Sequence, residues 1–194
     1  MKHKIILLSS LFIFFIIIFS GKVFGVDNDV GYVIKNYNMD IVVNDNNTFD
    51  ITETIDVKFT QYGKRGIIRE IPRVNYLKRI NEKNSKNIAY LSNVQVNEDF
   101  KFTKNGKFYK IKIGKNDSVV SNQRKYIIKY RYDIGKDPLK NIDEFYYYII
   151  GEGWDTTIEN VEFSIKMPKK FDEARMKFFK VYKNNFKKIN INYI

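Results

Sequence analysis

Hydrophobic and polar residues alternate along most of the chain with the two-residue period of half-buried β-strands. The alternation is most regular in TFDITETIDVKF, residues 48–59. Similar patterns mark 32–43, 88–96, 100–102, 109–113, 126–134 and 161–167, and a weaker one 177–182. Residues 145–150 are aromatic on both faces, which is typical of a central strand. These segments predict an all-β fold, a two-sheet antiparallel, immunoglobulin-like sandwich of about nine strands.

Turn and breaker residues separate the predicted strands. Asn105-Gly106 lies between two alternating runs and predicts a tight hairpin, because both residues tolerate positive φ. Pro72 excludes its segment from a central strand, since proline cannot donate to the ladder. Residues 75–87 are polar and charged, which predicts a loop or a short exposed helix.

The N-terminus has the three-part pattern of a secretory signal. Lys2 and Lys4 precede an apolar run that is shorter than the ~20 residues of a membrane span, and Gly25 supplies a small residue before a cleavage site. An uncleaved anchor helix is the alternative. We predict a signal peptide or anchor at 1–25, a β-sandwich ectodomain at 26–185 and a tail at 186–194. The domain is then exported, either secreted or on the outer face of the cell membrane, and nucleic acid is not an expected partner.

Composition excludes several kinds of chemistry. The chain has no cysteine, and its one histidine, His3, lies in the leader. Disulfides, thiol and histidine-dependent catalytic groups and the usual zinc sites are therefore excluded from the exported part. We expect no metal, no cofactor and no enzymatic activity.

The exported part is strongly basic. Removing three leader lysines and no acids from a net charge of +12 leaves about +9. Such a surface favours anionic cell-wall polymers or lipid head groups as partners. Biased codon usage that merely enriches a solvated surface in lysine is the alternative. Six lysines crowd the predicted hairpin: Lys101, Lys104, Lys107, Lys110, Lys112 and Lys115.

One acid interrupts the apolar row of residues 48–59. Glu53 occupies a position in phase with Ile51 and Ile55. A carboxylate buried without a partner would cost several kcal/mol or become protonated. Arg69, within GKRGIIREIP, is the natural partner because its planar fork binds a carboxylate bidentately. A structural pair, a ligand-binding pocket and a solvent-facing Glu53 at a sheet edge remain the three interpretations.

A second group of candidate residues follows residue 150. Gly151 and Gly153 permit a sharp turn immediately before Trp154, the only tryptophan, and Asp155. An exposed indole beside an acid would suit sugar stacking. A Trp154 that closes one end of the sandwich is the alternative. Arg65, between Gly63 and Gly66, is a further candidate for a surface or turn site.

Four blocks follow one another along the chain: the opening around Tyr32, then TFDITETIDVKF, GKRGIIREIP and FYYYIIGEGWDTTIENVEFSIKMP. Together, and in that order, they resemble the N-terminal domain of the DUF2207 family of predicted membrane proteins. The resemblance implies an exported β-sandwich ectodomain, usually followed by membrane helices, in which Glu53, Arg69, Gly151, Gly153, Trp154 and Asp155 match recurring positions. No hydrophobic span follows the domain in this sequence, so we expect either a missing membrane part or a secreted or N-terminally anchored version.

Three functional hypotheses follow. The first is a non-catalytic envelope domain that binds or scaffolds, with the membrane or another envelope protein as partner. The second is a carbohydrate-active hydrolase with two carboxylates drawn from Glu53, Glu152 and Asp155, which requires them to face each other ~5 to ~9.5 Å apart across an open cleft. The third is adhesion to an anionic cell-wall polymer through the basic surface.

Overall fold

The computed structural model describes residues 30–77, 85–115, 117–120, 122–136, 147–151, 153–169 and 191–193. These ranges contain strands and connecting segments, and no helix. The strands are β1 (Tyr32–Val43), β2 (Thr48–Phe59), β3 (Ile67–Pro72), β4 (Val74–Leu77), β5 (Ser85–Ile88), β6 (Tyr90–Val96), β7 (Phe100–Asn105), β8 (Phe108–Ile113), β9 (Gln123–Asp133), β10 (Ile158–Lys166) and β11 (Ile191–Tyr193). The predicted leader and the weak strand at 177–182 lie outside the described residues.

The strands form a sandwich-like arrangement, as predicted. The larger sheet has six strands in the order β11-β10-β1-β2-β9-β6, and the smaller has the order β3-β8-β7. A two-stranded ribbon, β4-β5, stands beside them. The sandwich is thus confirmed, but the larger sheet is mixed, since β10 runs parallel to both β1 and β11.

Alternation along each strand determines which side chains form the core. In β2, Ile51, Ile55 and Val57 are almost wholly buried, whereas Asp50 and Asp56 lie on the opposite, outer face. Each fully buried aliphatic side chain contributes roughly 1.5–3 kcal/mol relative to an exposed one. The inward rows of the two sheets therefore supply the main stabilising term.

Two turn predictions are confirmed, one with a small shift. The β7–β8 hairpin pairs Asn105 with Phe108, so its two loop residues are Gly106 and Lys107 rather than the predicted Asn105-Gly106. Gly106 has φ of 57°, and glycine at the first loop position is the preference of a type II′ turn. Pro72 ends β3, which is an edge strand of the smaller sheet.

The prediction of a loop or helix at 75–87 is wrong at both ends of the segment. Val74–Leu77 and Ser85–Ile88 pair as an antiparallel ribbon. Two of their polar residues face inward: the Asn75 amide donates to the Tyr132 hydroxyl at 2.9 Å, and the Asn87 amide donates to the Ile134 carbonyl at 2.6 Å. The polar composition of residues 75–87 suggested exposure to solvent, but these two amides form hydrogen bonds to the sandwich instead of facing water.

The predicted central strand at 145–150 is also corrected where the structure describes it. Residues 147–150 have no strand pairing, although Tyr147, Ile149 and Ile150 pack against the core. The segment is apolar because it covers the core, not because it lies inside a sheet. A further difference lies in the predicted tail, where Ile191–Tyr193 pair with β10.

Candidate functional site

Glu53 lies in the middle of β2 with its side chain inside the sandwich. Its exposed fraction is 0%. The strand places it there because Glu53 occupies an inward position of a regular alternation, with Ile128 of β9 on one side and Met39 of β1 on the other. A central strand of the larger sheet thus carries a carboxylate into the apolar layer.

Arg69 reaches this carboxylate from the facing sheet. On β3 the outer positions belong to Ile68 and Glu70, and Arg69 between them points inward and is 1% exposed. Its Nε donates to Glu53 Oε2 at 2.7 Å, and its Nη2 donates to Glu53 Oε1 at 3.0 Å. A bidentate, charge-assisted pair therefore joins the two layers of the sandwich.

Tyrosine hydroxyls complete the coordination of Glu53. Tyr37 of β1 donates to Oε2 at 2.7 Å, and Tyr130 of β9 donates to Oε1. The Tyr130 hydroxyl also bonds to that of Tyr147. Each carboxylate oxygen of Glu53 accordingly accepts one bond from Arg69 and one from a tyrosine.

The buried charges of Glu53 and Arg69 shift the pKa values of the groups around them. Burial, and next the negative charge of Glu53, hold the pKa of Tyr130 well above its ordinary value. Burial likewise raises the pKa of Tyr37, opposed by the Arg69 cation and assisted by Glu53, and burial with Glu53 raises the pKa of Tyr147. For Arg69, burial acts to lower the pKa, but the Glu53 carboxylate and the surrounding tyrosines together outweigh it, and the pKa is raised. The phenols therefore stay protonated as donors, and the guanidinium stays charged.

The turn after residue 150 closes the site. Trp154 is 5% exposed, with its ring 5.9 Å from the Arg69 guanidinium carbon and edge-to-face with Tyr37 at 6.1 Å. A methyl group at Gly151 would come within 2.4 Å of Arg69 Nη1. Glycine is required there because a side chain would displace the guanidinium. Trp154 thus closes the sandwich, and it is not available for sugar stacking.

Gly153, Asp155 and Arg65 lie outside the hydrogen-bonded cluster. Gly153 packs against the Glu70 side chain, where a methyl group would come within 3.3 Å of its Cβ. Asp155 is exposed and accepts a long bond, 3.5 Å, from the Tyr32 hydroxyl. Arg65 is exposed, and its carbonyl lies against Gly114. Glu152 is outside the described residues.

Sequence reasoning missed the three tyrosines of the cluster, Tyr37, Tyr130 and Tyr147. The available signal was their phase, because Tyr37 and Tyr130 occupy inward positions in β1 and β9. A buried phenol needs a hydrogen-bond partner, and a buried acid needs donors. Tyrosines in phase with a core glutamate could therefore have been proposed as its ligands.

Donors occupy both oxygens of the Glu53 carboxylate, and the carboxylate is enclosed. Glu53, Arg69 and Tyr37 are each 1% exposed or less. The geometry suits a fixed cross-link between layers, and it presents no carboxylate to a substrate. Within the ranges that the structure describes, no three acidic or histidine side chains gather as they would around a metal ion.

The fold and this cluster define a β-sandwich domain whose layers are joined through a buried, tyrosine-capped ion pair. The chain matches the family described as "Predicted membrane protein (DUF2207) N-terminal domain" over residues 33–193. The chain belongs to this family, which confirms the resemblance seen in the sequence. Its description is consistent with association with a membrane.

Similarity to curated proteins and to solved structures adds no information about function. No curated protein matches significantly. Among solved structures, native yeast LTA4 hydrolase is 9% identical with a TM-score of 0.36, over 55% of this chain and 15% of the other. An M1 zinc metallopeptidase from Deinococcus radiodurans is 8% identical with a TM-score of 0.33, over 55% and 21% respectively. The chain spans about a fifth or less of these two proteins' length, and similarity at this level carries no argument about activity.

In the part of the chain that the structure describes, no helix is long and apolar enough to cross a bilayer.

Proposed function

We propose that this chain is a non-catalytic binding or scaffolding domain on the outer side of a cell membrane. The observation that carries the proposal is the saturation of Glu53, the one fully buried acid among the residues that the structure describes, by Arg69 and two tyrosine hydroxyls. A reactive carboxylate must reach its substrate within hydrogen-bond distance. Glu53 is instead a rigid connection between two sheets, as expected of a domain that presents a surface.

The alternative function, a carbohydrate-active hydrolase, has Glu53 among its candidate catalytic carboxylates. Paired-carboxylate hydrolysis needs two acids facing one cleft. Glu53 is wholly buried behind Trp154 and the tyrosines, whereas Asp155 is exposed. These positions favour a structural role for Glu53.

The export orientation rests on the N-terminal pattern of residues 1–25 and on membership of a family of predicted membrane proteins. The absence of cysteine, and of histidine beyond His3, supports the non-catalytic assignment because the commonest nucleophiles and general bases are missing.

The test is recovery of a partner from intact envelopes. Full-length chain carrying an affinity tag should enrich an envelope protein or a lipid fraction reproducibly, and purified chain should release no reducing ends from wall polysaccharides. The Glu53→Ala variant is the matched control, because loss of the layer connection should abolish recovery. Polysaccharide cleavage that copurifies with the chain through every step would contradict the proposal.

A further inference from the structure

Exposed apolar side chains gather in one region of the molecule. Among the described residues, nine large apolar side chains are exposed, and five of them belong to β4 through β7: Tyr76, Ile88, Tyr90, Phe100 and Phe102. Tyr90 and Tyr76 are the most exposed of the five, at 62% and 56%. Clustering of this kind marks an interaction surface, whereas scattered exposed residues are ordinary.

Pairing and contacts make these side chains neighbours. On the β4–β5 ribbon, Tyr76 lies directly opposite Lys86, on the face away from the inward Asn75 and Asn87. The ribbon meets the β7–β8 hairpin where Lys107 Nζ lies 5.3 Å from the centre of the Tyr76 ring. The ribbon and the hairpin turn therefore form one continuous surface.

The edge strand β7 extends this surface. Phe100, Phe102 and Lys104 each pair with a buried residue of β8, so their side chains lie on the same, inner face of the smaller sheet. They remain exposed because β7 is the edge of that sheet. The Phe102 ring stacks on that of Tyr109 at 5.6 Å, and the Tyr109 hydroxyl donates to the carbonyl of Ala89, between Ile88 and Tyr90. The five apolar residues, with Lys86, Lys104 and Lys107, are called the aromatic–lysine surface below.

Lysines dominate the charge of this region, although acids lie at its border: Glu98 and Asp99, both exposed, precede Phe100, and Asp133 of β9 lies opposite Tyr90. The stretches 74–77, 85–90 and 100–113 contain six lysines and no aspartate or glutamate. Lys110 is partly neutralised by an ion pair with Glu70 of β3 at 2.9 Å. A surface that interleaves aromatic side chains with cations complements the interface of an anionic bilayer, where rings enter the headgroup layer and lysines meet phosphates.

We infer that the aromatic–lysine surface docks the domain onto an anionic lipid bilayer. The inference deepens the proposed function and rests on it, since it names the surface by which the domain meets the membrane. A soluble anionic polymer would use the lysines but leave the aromatic side chains without a role. A partner strand added to β7 is disfavoured because Lys101 and Lys104 project from this edge, and edge lysines oppose strand addition.

The experiment measures backbone hydrogen exchange of the full chain with vesicles. One set contains phosphatidylcholine alone, and the other contains phosphatidylcholine and phosphatidylglycerol at roughly three to one, which supplies the negative surface potential. A leader inserted into either membrane affects both sets equally, so the readout is local: exchange of residues 100–105. We expect protection on the anionic vesicles that is absent on the neutral ones and is lost when salt is raised.

Matched variants identify the surface. Lys104→Glu with Lys107→Glu should abolish the anionic-vesicle protection, because two cations become like charges to the lipid. Lys58→Glu with Lys129→Glu makes the same charge change on the outer face of the larger sheet, where both lysines are exposed, and should leave protection intact. Phe100→Ser should also reduce protection, whereas Ile68→Ser, an exposed apolar residue on the outer face of β3, should not.

Three results would overturn the inference. They are equal exchange on the two kinds of vesicle, protection that survives the Lys104→Glu, Lys107→Glu change, and equal protection by soluble poly(glycerol phosphate) without lipid. Protection of β7 by an envelope protein alone would likewise assign the edge to a partner strand. None of these results affects partner recovery or the absence of hydrolysis, which test the proposed function separately.

Discussion

Removing the Glu53 carboxylate should strongly destabilise the domain. The Arg69 guanidinium is 1% exposed, and in Glu53→Ala it loses both of its charged acceptors. Breaking a buried pair in this way costs about 3–5 kcal/mol, because an uncompensated charge is left in the interior. The hydroxyls of Tyr37 and Tyr130 lose their acceptor as well, and a stranded buried donor costs about 1–3 kcal/mol.

These costs are large relative to the stability of a domain, which is typically about 5–15 kcal/mol. We therefore expect Glu53→Ala to lose at least about 4 kcal/mol, and Arg69→Ala a similar amount. Equilibrium urea unfolding of the full chain provides the assay. Fluorescence of Trp154, the only tryptophan, reports directly on the site because its ring packs against Arg69.

A double substitution separates the pair from the packing around it. Glu53→Leu with Arg69→Met replaces both charges by apolar groups, and such replacements of buried pairs are often neutral or stabilising. The double variant should therefore lose less stability than either single alanine variant. Unchanged unfolding midpoints in both alanine variants would refute the reasoning, since the burial and pairing on which it depends would be absent.

Three further predictions concern the same cluster. Tyr130→Phe should cost about 1 kcal/mol in urea unfolding, the net value of one hydrogen bond to Glu53. Stability should fall as pH rises above ~10, because the pKa values of Tyr37, Tyr130 and Tyr147 are raised in the folded chain. The unfolded chain therefore releases these protons at lower pH than the folded chain, and unfolding free energies measured over a pH series test this. Gly151→Ala should lower the melting temperature by displacing Arg69, from which a methyl group would lie 2.4 Å.

Each of these has a distinct contrary result. A Tyr130→Phe variant as stable as the parent would mean that its hydroxyl contributes nothing. Constant stability up to the pH of general alkaline unfolding, or tyrosinate absorbance at the full tyrosine count near pH ~10 in the folded chain, would contradict the raised phenol pKa values. For Gly151, the control is Gly153→Ala, where an added methyl group would meet only the Glu70 side chain, at 3.2 Å or more; equal losses would remove the steric argument.

Local pattern predicted the strands that have one buried and one solvated face. β2, β9 and β10 alternate regularly, and their bounds lie close to those predicted. The alternation of apolar and polar residues gave the wrong prediction where a segment is buried by contacts other than strand pairing. The aromatic residues at 147–150 cover the core without pairing, and the amides of Asn75 and Asn87 bond to the sandwich interior.

Contacts between distant segments were harder to predict. The parallel pairing of β1 with β10 joins residues more than a hundred positions apart and leaves no local signal. Glu53 and Arg69 could be matched from the sequence because a buried carboxylate needs a cation. The tyrosine donors and the close approach of Gly151 to Arg69 depend on the packing of five separate segments, which no spacing in the sequence specifies.

The central claim is that Arg69 and Glu53 form a fixed bridge inside the sandwich, shielded from water. Proton NMR of the full chain labelled at arginine measures it most directly, through solvent exchange of the Arg69 Nε–H that donates to Glu53 at 2.7 Å. The account predicts a resolved resonance with very slow exchange, which becomes fast in Glu53→Ala. Exchange as fast as that of the exposed Arg65 in the unsubstituted protein would contradict it.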